Sequence, residues 1–244
     1  MKTIKLNAID STNTYLKGLS KKEVLVDGII VVAEKQVRGR GQMGTIWQSK
    51  VGQSLTFSIF KRFSHLTIQY QSYINFAVSL GIKEALTLLK VPNVSIKWPN
   101  DIMADNKKLC GVLIENQIEA SGKVSSSVIG VGLNVNETSF KNLPQAGSMY
   151  LSSGNLFDLN EVLQKISEEI FLKLKQIDSG NVSLLKSKYE EFLFQKNKVS
   201  TFETPSGKKF NGVIMGVTES GELLLDTDEN VLEKYQMKEI KLLF

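Results

Sequence analysis

The chain has 244 residues, of which 42% are hydrophobic and 23% charged, and its formal net charge is +5. These values are ordinary for a globular protein and exclude an intrinsically disordered chain. The single cysteine excludes an internal disulfide or a cysteine-based metal site. The sequence has no long run of basic residues that would indicate nucleic acid binding. No segment has 18 consecutive apolar residues, and the first residues lack the apolar core of a signal peptide, so we expect a cytoplasmic protein that does not enter a membrane.

The first half of the sequence mixes helix and strand patterns. A short helix is predicted at STNTYLKGLS, with Ser11 or Thr12 as an N-cap that accepts backbone N–H bonds. Strand patterns follow at GIIVVAEKQ and SLTFSIF, and a buried helix is predicted at YINFAVSLGIKEALTLL. The strand VSIKW should end at Pro99, because proline cannot donate a ladder hydrogen bond. Two more strands, KLCGVLIENQIE and SSSVIGVGLNVN, are joined by a turn at ASGK.

The second half changes character near Lys198. Before it, DLNEVLQKISEEIFLKLKQI predicts a long amphipathic helix that opens with a capping pair, Asp158 and Glu161, and VSLLKSKYEEFLF continues the helical region. After it, short strands at KVSTFE, FNGVIMGV, GELLLDT and EIKLLF are separated by turn residues, a pattern typical of a small β-barrel. We therefore predict two domains, residues 1–197 and residues 198–244.

Two polar patches lie near the start of the chain. Asp10-Ser11-Thr12-Asn13 is either a simple helix cap or a set of donors and acceptors for a small polar head such as a urea or amide. The loop VRGRGQMGTIW follows a buried strand that ends at Gln36. Its glycines allow backbone amides to approach an anion and its arginines can bind carboxylate or phosphate, although a solvated linker has the same composition. Neither patch decides the function alone.

Two further patches lie in the middle of the chain. Lys97-Trp98-Pro99-Asn100-Asp101, followed by Lys107-Lys108-Leu109-Cys110-Gly111, places a carboxylate, an amide and lysines near a strand break. An acid beside phosphates can hold Mg²⁺, whereas Cys110 has no flanking histidine and is predicted to be a packing residue. The glycines of GVGLNVN indicate either close approach of a ligand or tight strand packing.

In this order, the patches resemble the biotin–protein ligases. The matching segments are DSTN, VVAEKQ leading into GRGQMGTIW, SIKWPNDIM, KKLCGVLIE, IGVGLNVN and the small C-terminal β-domain. The resemblance implies an α+β fold, in which a mixed central β-sheet flanked by helices (the class II synthetase-like, biotin–lipoate ligase catalytic fold) carries a small C-terminal SH3-like β-barrel. It also implies ATP-dependent activation of biotin to biotinyl-5′-AMP, with Mg²⁺, and transfer of biotin to a lysine of a biotin carboxyl carrier protein.

The resemblance assigns roles to individual residues. Lys108, Arg40 and Asp101 would carry catalysis, with Asp101 also at a metal-bound phosphate or the acceptor amine. Biotin would contact eight residues: Ser11, Thr12, Asn13, Gln36, Arg40, Gly41, Gln42 and Lys108. ATP would contact five: Gln42, Trp47, Lys97, Asn100 and Asn134.

The chain also departs from the family pattern. Many relatives carry arginine where Gln42 stands and another basic residue where Thr45 stands, which leaves this loop less cationic. Only nine residues precede DSTN, too few for the DNA-binding domain of some relatives, so we expect a ligase without repressor function. A lipoate ligase or octanoyltransferase, and a non-catalytic biotin or nucleotide sensor, are the alternatives. A homodimer is left open.

Overall fold

The computed structural model describes residues 2–180, 182–227 and 231–244, with the side chain of Met43 outside that description. It contains five helices within this range: α1 Thr12–Lys22, α2 Ser72–Leu88, α3 Met149–Ser153, α4 Leu159–Asp178 and α5 Val182–Glu191. The first seven strands are β1 Thr3–Ile9, β2 Ile30–Gln36, β3 Ser54–Arg62, β4 Val94–Lys97, β5 Asp101–Ala104, β6 Lys107–Ile118 and β7 Val124–Asn134. The last five are β8 Val199–Glu203, β9 Lys209–Val217, β10 Leu223–Thr227, β11 Leu232–Tyr235 and β12 Lys241–Leu243.

The first seven strands form one sheet in the order β1-β2-β3-β7-β6-β5-β4. Strand β1 runs parallel to β2, whereas the other neighbours are antiparallel, so the predicted mixed sheet is confirmed. Side chains alternate between its two faces, which places Val31 beneath α1 and Ile30 in the larger core with α2 and α4. The structure adds β1, β5 and β11, which the sequence patterns did not predict.

The helices on the larger core pack closely. A Cβ built on Gly81 of α2 would lie 2.6 Å from Ile170 Cα, so only glycine allows α4 to approach this near. The Asp158 half of the predicted capping pair is confirmed, since its carboxylate accepts from the backbone amides of Asn160 and Glu161 at 2.8 and 2.9 Å. Cys110 is fully buried in this core, as expected of a packing residue.

The last five strands form a second, antiparallel sheet in the order β11-β10-β9-β8-β12. Two hydrogen bonds connect this sheet to the preceding part of the chain. The Glu190 carboxylate accepts from Val217 N at 3.0 Å, and Trp98 Nε1 donates to Gly221 O at 2.9 Å. This sheet is consistent with the predicted SH3-like barrel, while the boundary at residue 198 stays a prediction. Within the described ranges, no helix is long and apolar enough to cross a membrane.

Candidate functional site

A cavity of about 960 Å³ opens between the two sheets. Its volume is at the upper end for small-molecule sites, which leaves room for a nucleotide and a second ligand. Twelve of the thirteen residues predicted for the site contribute to its walls: Ser11, Thr12, Asn13, Gln36, Arg40, Gly41, Gln42, Trp47, Lys97, Asn100, Asp101 and Lys108. The convergence follows from the sheet order, because β2, β3, β7 and β6 are neighbours and β5 lies next to β6.

One end of the cavity is a buried polar cluster at the start of α1. Thr12 donates to Gln36 Oε1 through its backbone N at 2.7 Å and its hydroxyl at 3.1 Å. Ser58 of β3 places its hydroxyl 2.7 Å from Thr12 Oγ1 and 2.6 Å from Asn13 Oδ1. Ser11 occupies the N-cap position, but its side chain makes no capping hydrogen bond in the described chain, contrary to our prediction. Ser11 is nevertheless buried in the wall of the cavity at this end.

The floor of the cavity is formed by glycines on β6 and β7. Asn13 lies against Gly130, because a Cβ added to Gly130 would lie 2.9 Å from Cγ of the Asn13 side chain. Two residues along β7, a Cβ on Gly132 would meet Trp47 Nε1 at 2.6 Å, and Gly111 faces the same indole from β6. The glycines of GVGLN therefore allow other side chains of the chain to pack tightly on β7, whereas close approach of a ligand to these glycines stays a prediction.

Residues 39–47 form a short hairpin over this floor, which we call the lid hairpin. Gly41 N donates to Thr45 O at 2.7 Å and Trp47 N donates to Gly39 O at 3.0 Å, and a 3₁₀ turn at Gln42–Gly44 closes its tip. Arg40 and Ile46 pair across the hairpin. The loop is thus a folded element that carries Arg40, Gln42 and Trp47 into the cavity wall, rather than a solvated linker.

The other end of the cavity is a cationic cluster around Asp101. Lys108 Nζ lies 2.6 Å from Asp101 Oδ1, and Lys97 Nζ lies 3.8 Å from Asp101 Oδ2. Burial lowers the pKa of Lys97, and the charges of Lys108 and Lys241 add to this effect while Asp101 opposes it. Lys108 Nζ is also 5.8 Å from the centre of the Trp47 ring. Two lysines per carboxylate leave a net positive charge, which suits an anionic ligand.

Two asparagines predicted to contact the nucleotide differ in their placement. Asn100 is buried in the cavity wall, where its side-chain Nδ2 donates to Val112 O and its backbone oxygen accepts from Val112 N at 3.2 Å. Asn134 lies outside the cavity lining and donates from Nδ2 to Gly147 O at 2.9 Å. This bond ties the end of β7 to the backbone at Gly147, and Asn134 as an ATP contact stays a prediction.

The predicted metal ligand is held by lysines. Asp101 directs both carboxylate oxygens at Lys108 and Lys97. Among the residues that the structure describes, no group of three histidine, cysteine, aspartate or glutamate side chains could hold a metal ion. The residues present therefore do not build a metal site of their own, and Asp101 as a metal ligand stays a prediction.

Several residues at or beside the cavity were not predicted from the sequence. The second sheet contributes the segments 203–205 and 237–242 to the cavity wall, and these carry Lys238 and Lys241. Ser58 is fully buried beneath the polar cluster, and Glu115 of β6 pairs with Arg40 and Lys17. A lone carboxylate at the end of the apolar run GVLIE was the available signal for Glu115, whereas nothing in the sequence indicates how the second sheet docks.

Comparison with known families identifies the family of the chain and its fold. A profile of the biotin/lipoate A/B protein ligase family matches residues 6–134, more than half of the chain. The chain belongs to this family. The matched region begins in β1 and ends with β7, so it includes the polar cluster, the lid hairpin and the cationic cluster.

Individual relatives agree with the family assignment. The bifunctional ligase/repressor BirA of Bacillus subtilis is 31% identical over 217 residues, and the match covers 86% of this chain and 65% of that protein. A biotin–(acetyl-CoA-carboxylase) ligase of Mycobacterium tuberculosis is 28% identical, with 88% of this chain and 80% of that protein covered. The solved structure of biotin protein ligase from Aquifex aeolicus in complex with biotin and ATP superposes with a TM-score of 0.80 at 27% identity, over 99% of this chain and 98% of that one.

Proposed function

We propose that the chain is a biotin–protein ligase that uses ATP to form biotinyl-5′-AMP and then transfers biotin to a lysine of a biotin carboxyl carrier protein. One observation carries the proposal. The cavity joins a buried polar cluster to a cationic cluster across a glycine floor, and biotin has the matching order of ureido head, apolar chain and carboxylate. The related structures support the same ligands, since the Aquifex aeolicus ligase was solved in complex with biotin and ATP.

In the first step, a biotin carboxylate oxygen would bond to the α-phosphorus of ATP while the bond to the bridging oxygen breaks and pyrophosphate leaves. Two anions meet in this step, so the barrier depends on fixed positive charge. Lys108 and Lys97 lie on strands and supply that charge beside the floor. Mg²⁺ would add charge neutralisation at the triphosphate, bound mainly by phosphate oxygens and water.

In the second step, the acceptor lysine nitrogen would bond to the acyl carbon, AMP would leave and the amine would lose one proton. We propose Asp101 as the group that orients this amine or takes its proton. Its carboxylate is within 2.6 Å of Lys108, so an approaching amine would have to share it with that lysine. The lid hairpin, by covering the floor, would keep water from the adenylate between the two steps.

The proposal is tested by mass spectrometry of the acceptor. Purified protein is incubated with Mg-ATP and a biotin carboxyl carrier domain, in parallel with biotin, lipoate or octanoate. We expect a biotinyl adduct on one lysine and no adduct with the other two acids. Modification by lipoate or octanoate alone would favour the ligase or transferase alternative. No adduct with any acid, with a carrier that a known ligase modifies, would refute the proposal.

A further inference from the structure

Glu115 connects the polar cluster to the lid hairpin. Its side chain is only 20% exposed and accepts hydrogen bonds from Asn13 Nδ2 at 3.0 Å, Lys17 Nζ at 3.1 Å and Arg40. Burial by itself would raise the pKa of Glu115, but the bonds from Lys17 and Asn13 and the charge of Arg40 outweigh it and lower the pKa. The carboxylate is therefore charged at neutral pH and attracts the lid arginine.

The lid hairpin contacts β6 at two separate points. Trp47 lies over Gly111, and Arg40 pairs with Glu115 four residues further along the same strand. Four residues of a strand span about 13 Å, so the two contacts are well separated along β6, although Arg40 and Trp47 both lie near the open end of the hairpin. Since Arg40 and Ile46 pair across the hairpin, holding Arg40 also holds the strand that leads to Trp47.

We propose that Glu115 is a positioning residue that fastens the lid hairpin to β6 through Arg40, so that the lid covers the cavity floor. The role of the lid in ligand retention rests on the proposed function, whereas its attachment by Glu115 does not. Lys17 also lowers the cost of opening the lid. When Arg40 moves away, Lys17 and Asn13 still bond to the Glu115 carboxylate, so this partly buried charge keeps hydrogen-bond partners.

Amide hydrogen exchange of residues 39–47 tests the attachment in the full chain without substrate. We expect E115Q to exchange about fivefold faster than the unmodified chain, the effect of losing a partly exposed charged contact. K17Q is the matched control, because it removes a cation from the same carboxylate without touching the lid, and its lid should exchange at the original rate. In an R40Q background, E115Q should add nothing.

Three results would overturn the proposal: lid exchange unchanged in E115Q, equal acceleration in K17Q, or an additive effect of E115Q in the R40Q background. Because Glu115 also meets Asn13, thermal unfolding must show that E115Q remains folded, and E115D should restore part of the lid protection. This exchange assay needs no ligase activity, so its result can be interpreted even if the proposed function is wrong.

Steady-state kinetics with biotin supplies a second readout. If Glu115 acts by holding the lid, E115Q should raise KM for biotin about fivefold and change kcat by less than about twofold. A loss confined to kcat would place Glu115 in the chemical step and overturn the positioning role. Absence of biotin transfer in the unmodified chain would instead refute the proposed function while leaving the exchange test in force.

Discussion

Replacing Gly132 by alanine is expected to lift Trp47 from the cavity floor. A Cβ at this position would lie 2.6 Å from Trp47 Nε1 and 2.7 Å from Cδ2, whereas ordinary contacts begin near 3.4 Å. Strand β7 is held by ladders to both β3 and β6, so the indole and the lid hairpin have to move, by about 1 Å. Such overpacking costs about 1–3 kcal/mol.

This cost falls mainly on the lid, because the hairpin is attached at few points while the sheet is not free to shift. We expect biotinyl-adenylate to escape or hydrolyse about 5–150 times faster, the factor that corresponds to 1–3 kcal/mol. The assay measures pyrophosphate released per biotin transferred, with and without the carrier. In the variant, that ratio should rise while the melting temperature stays within a few degrees of the original.

Two further variants make the test specific to Trp47. Gly111→Ala is the matched control on the facing strand, since its Cβ would lie 3.2 Å from Trp47 Cζ3 and 3.3 Å from Lys108 Nζ, a contact that small shifts relieve. In a Trp47→Ala background, Gly132→Ala should have no further effect on the ratio. An unchanged ratio in Gly132→Ala, or an equal rise in Gly111→Ala, would refute the reasoning.

Three other substitutions test the charge, the core and the helix packing. Lys108→Met should slow biotin-dependent pyrophosphate release about 10²–10³-fold by removing charge at the reacting groups, with Lys108→Arg less affected; equal rates for both would contradict this. Lys61 is 4% exposed and bonded to Asp27 and Asp178 at 3.0 and 2.9 Å, so Lys61→Met should cost about 1–2 kcal/mol of unfolding free energy in thermal melts and leave biotin transfer at 25 °C unchanged. Burial lowers the pKa of Lys61, but its two carboxylate partners raise it by more, so the net pKa in the folded state is raised. The stability that Lys61 contributes is therefore present below its unfolded pKa of 10.5 and is lost as pH rises through the folded pKa. Gly81→Ala should cost about 2 kcal/mol or more against Ile170, whereas Gly18→Ala, which meets nothing within 4 Å, should be neutral or stabilising in the same denaturant series.

The elements with strong periodicity could be predicted from the sequence. The α4 stripe and its Asp158 cap, and the branched residues of β2 and β3, form where expected because local pattern and burial agree. Strand β1 was missed because it lies at the edge of the sheet and most of its side chains are exposed, so TIKLNAI shows little apolar contrast. Strand β5 was missed because four residues after a turn carry too short a pattern.

The site was predictable only where its residues stand in short motifs. Ser11, Gln36 and Lys108 line one cavity because β2 and β6 belong to the same sheet, with β3 and β7 between them, an arrangement that motif order implies but composition does not. Ser11 shows the limit of local rules, since it occupies the N-cap without a capping bond and faces the cavity. The wall from residues 237–242 depends on how the second sheet docks, which is set by contacts between residues distant in sequence, such as Trp98 with Gly221.

The distribution of charge gives Gln42 a different meaning from the one suggested by the motif alone. Arg38 is exposed near Asp10, and Arg40 is paired with Glu115, so both cations of the lid region already face carboxylates. The cavity wall also carries lysines outside the lid: Lys97 and Lys108 around Asp101, and Lys238 and Lys241 from the C-terminal part of the chain. An uncharged residue at the tip of the lid is therefore compatible with binding an anion, because lysines outside the lid supply the positive charge and the lid covers the floor. We therefore expect an arginine at position 42 to change how long the lid stays closed more than how strongly the cavity attracts phosphate.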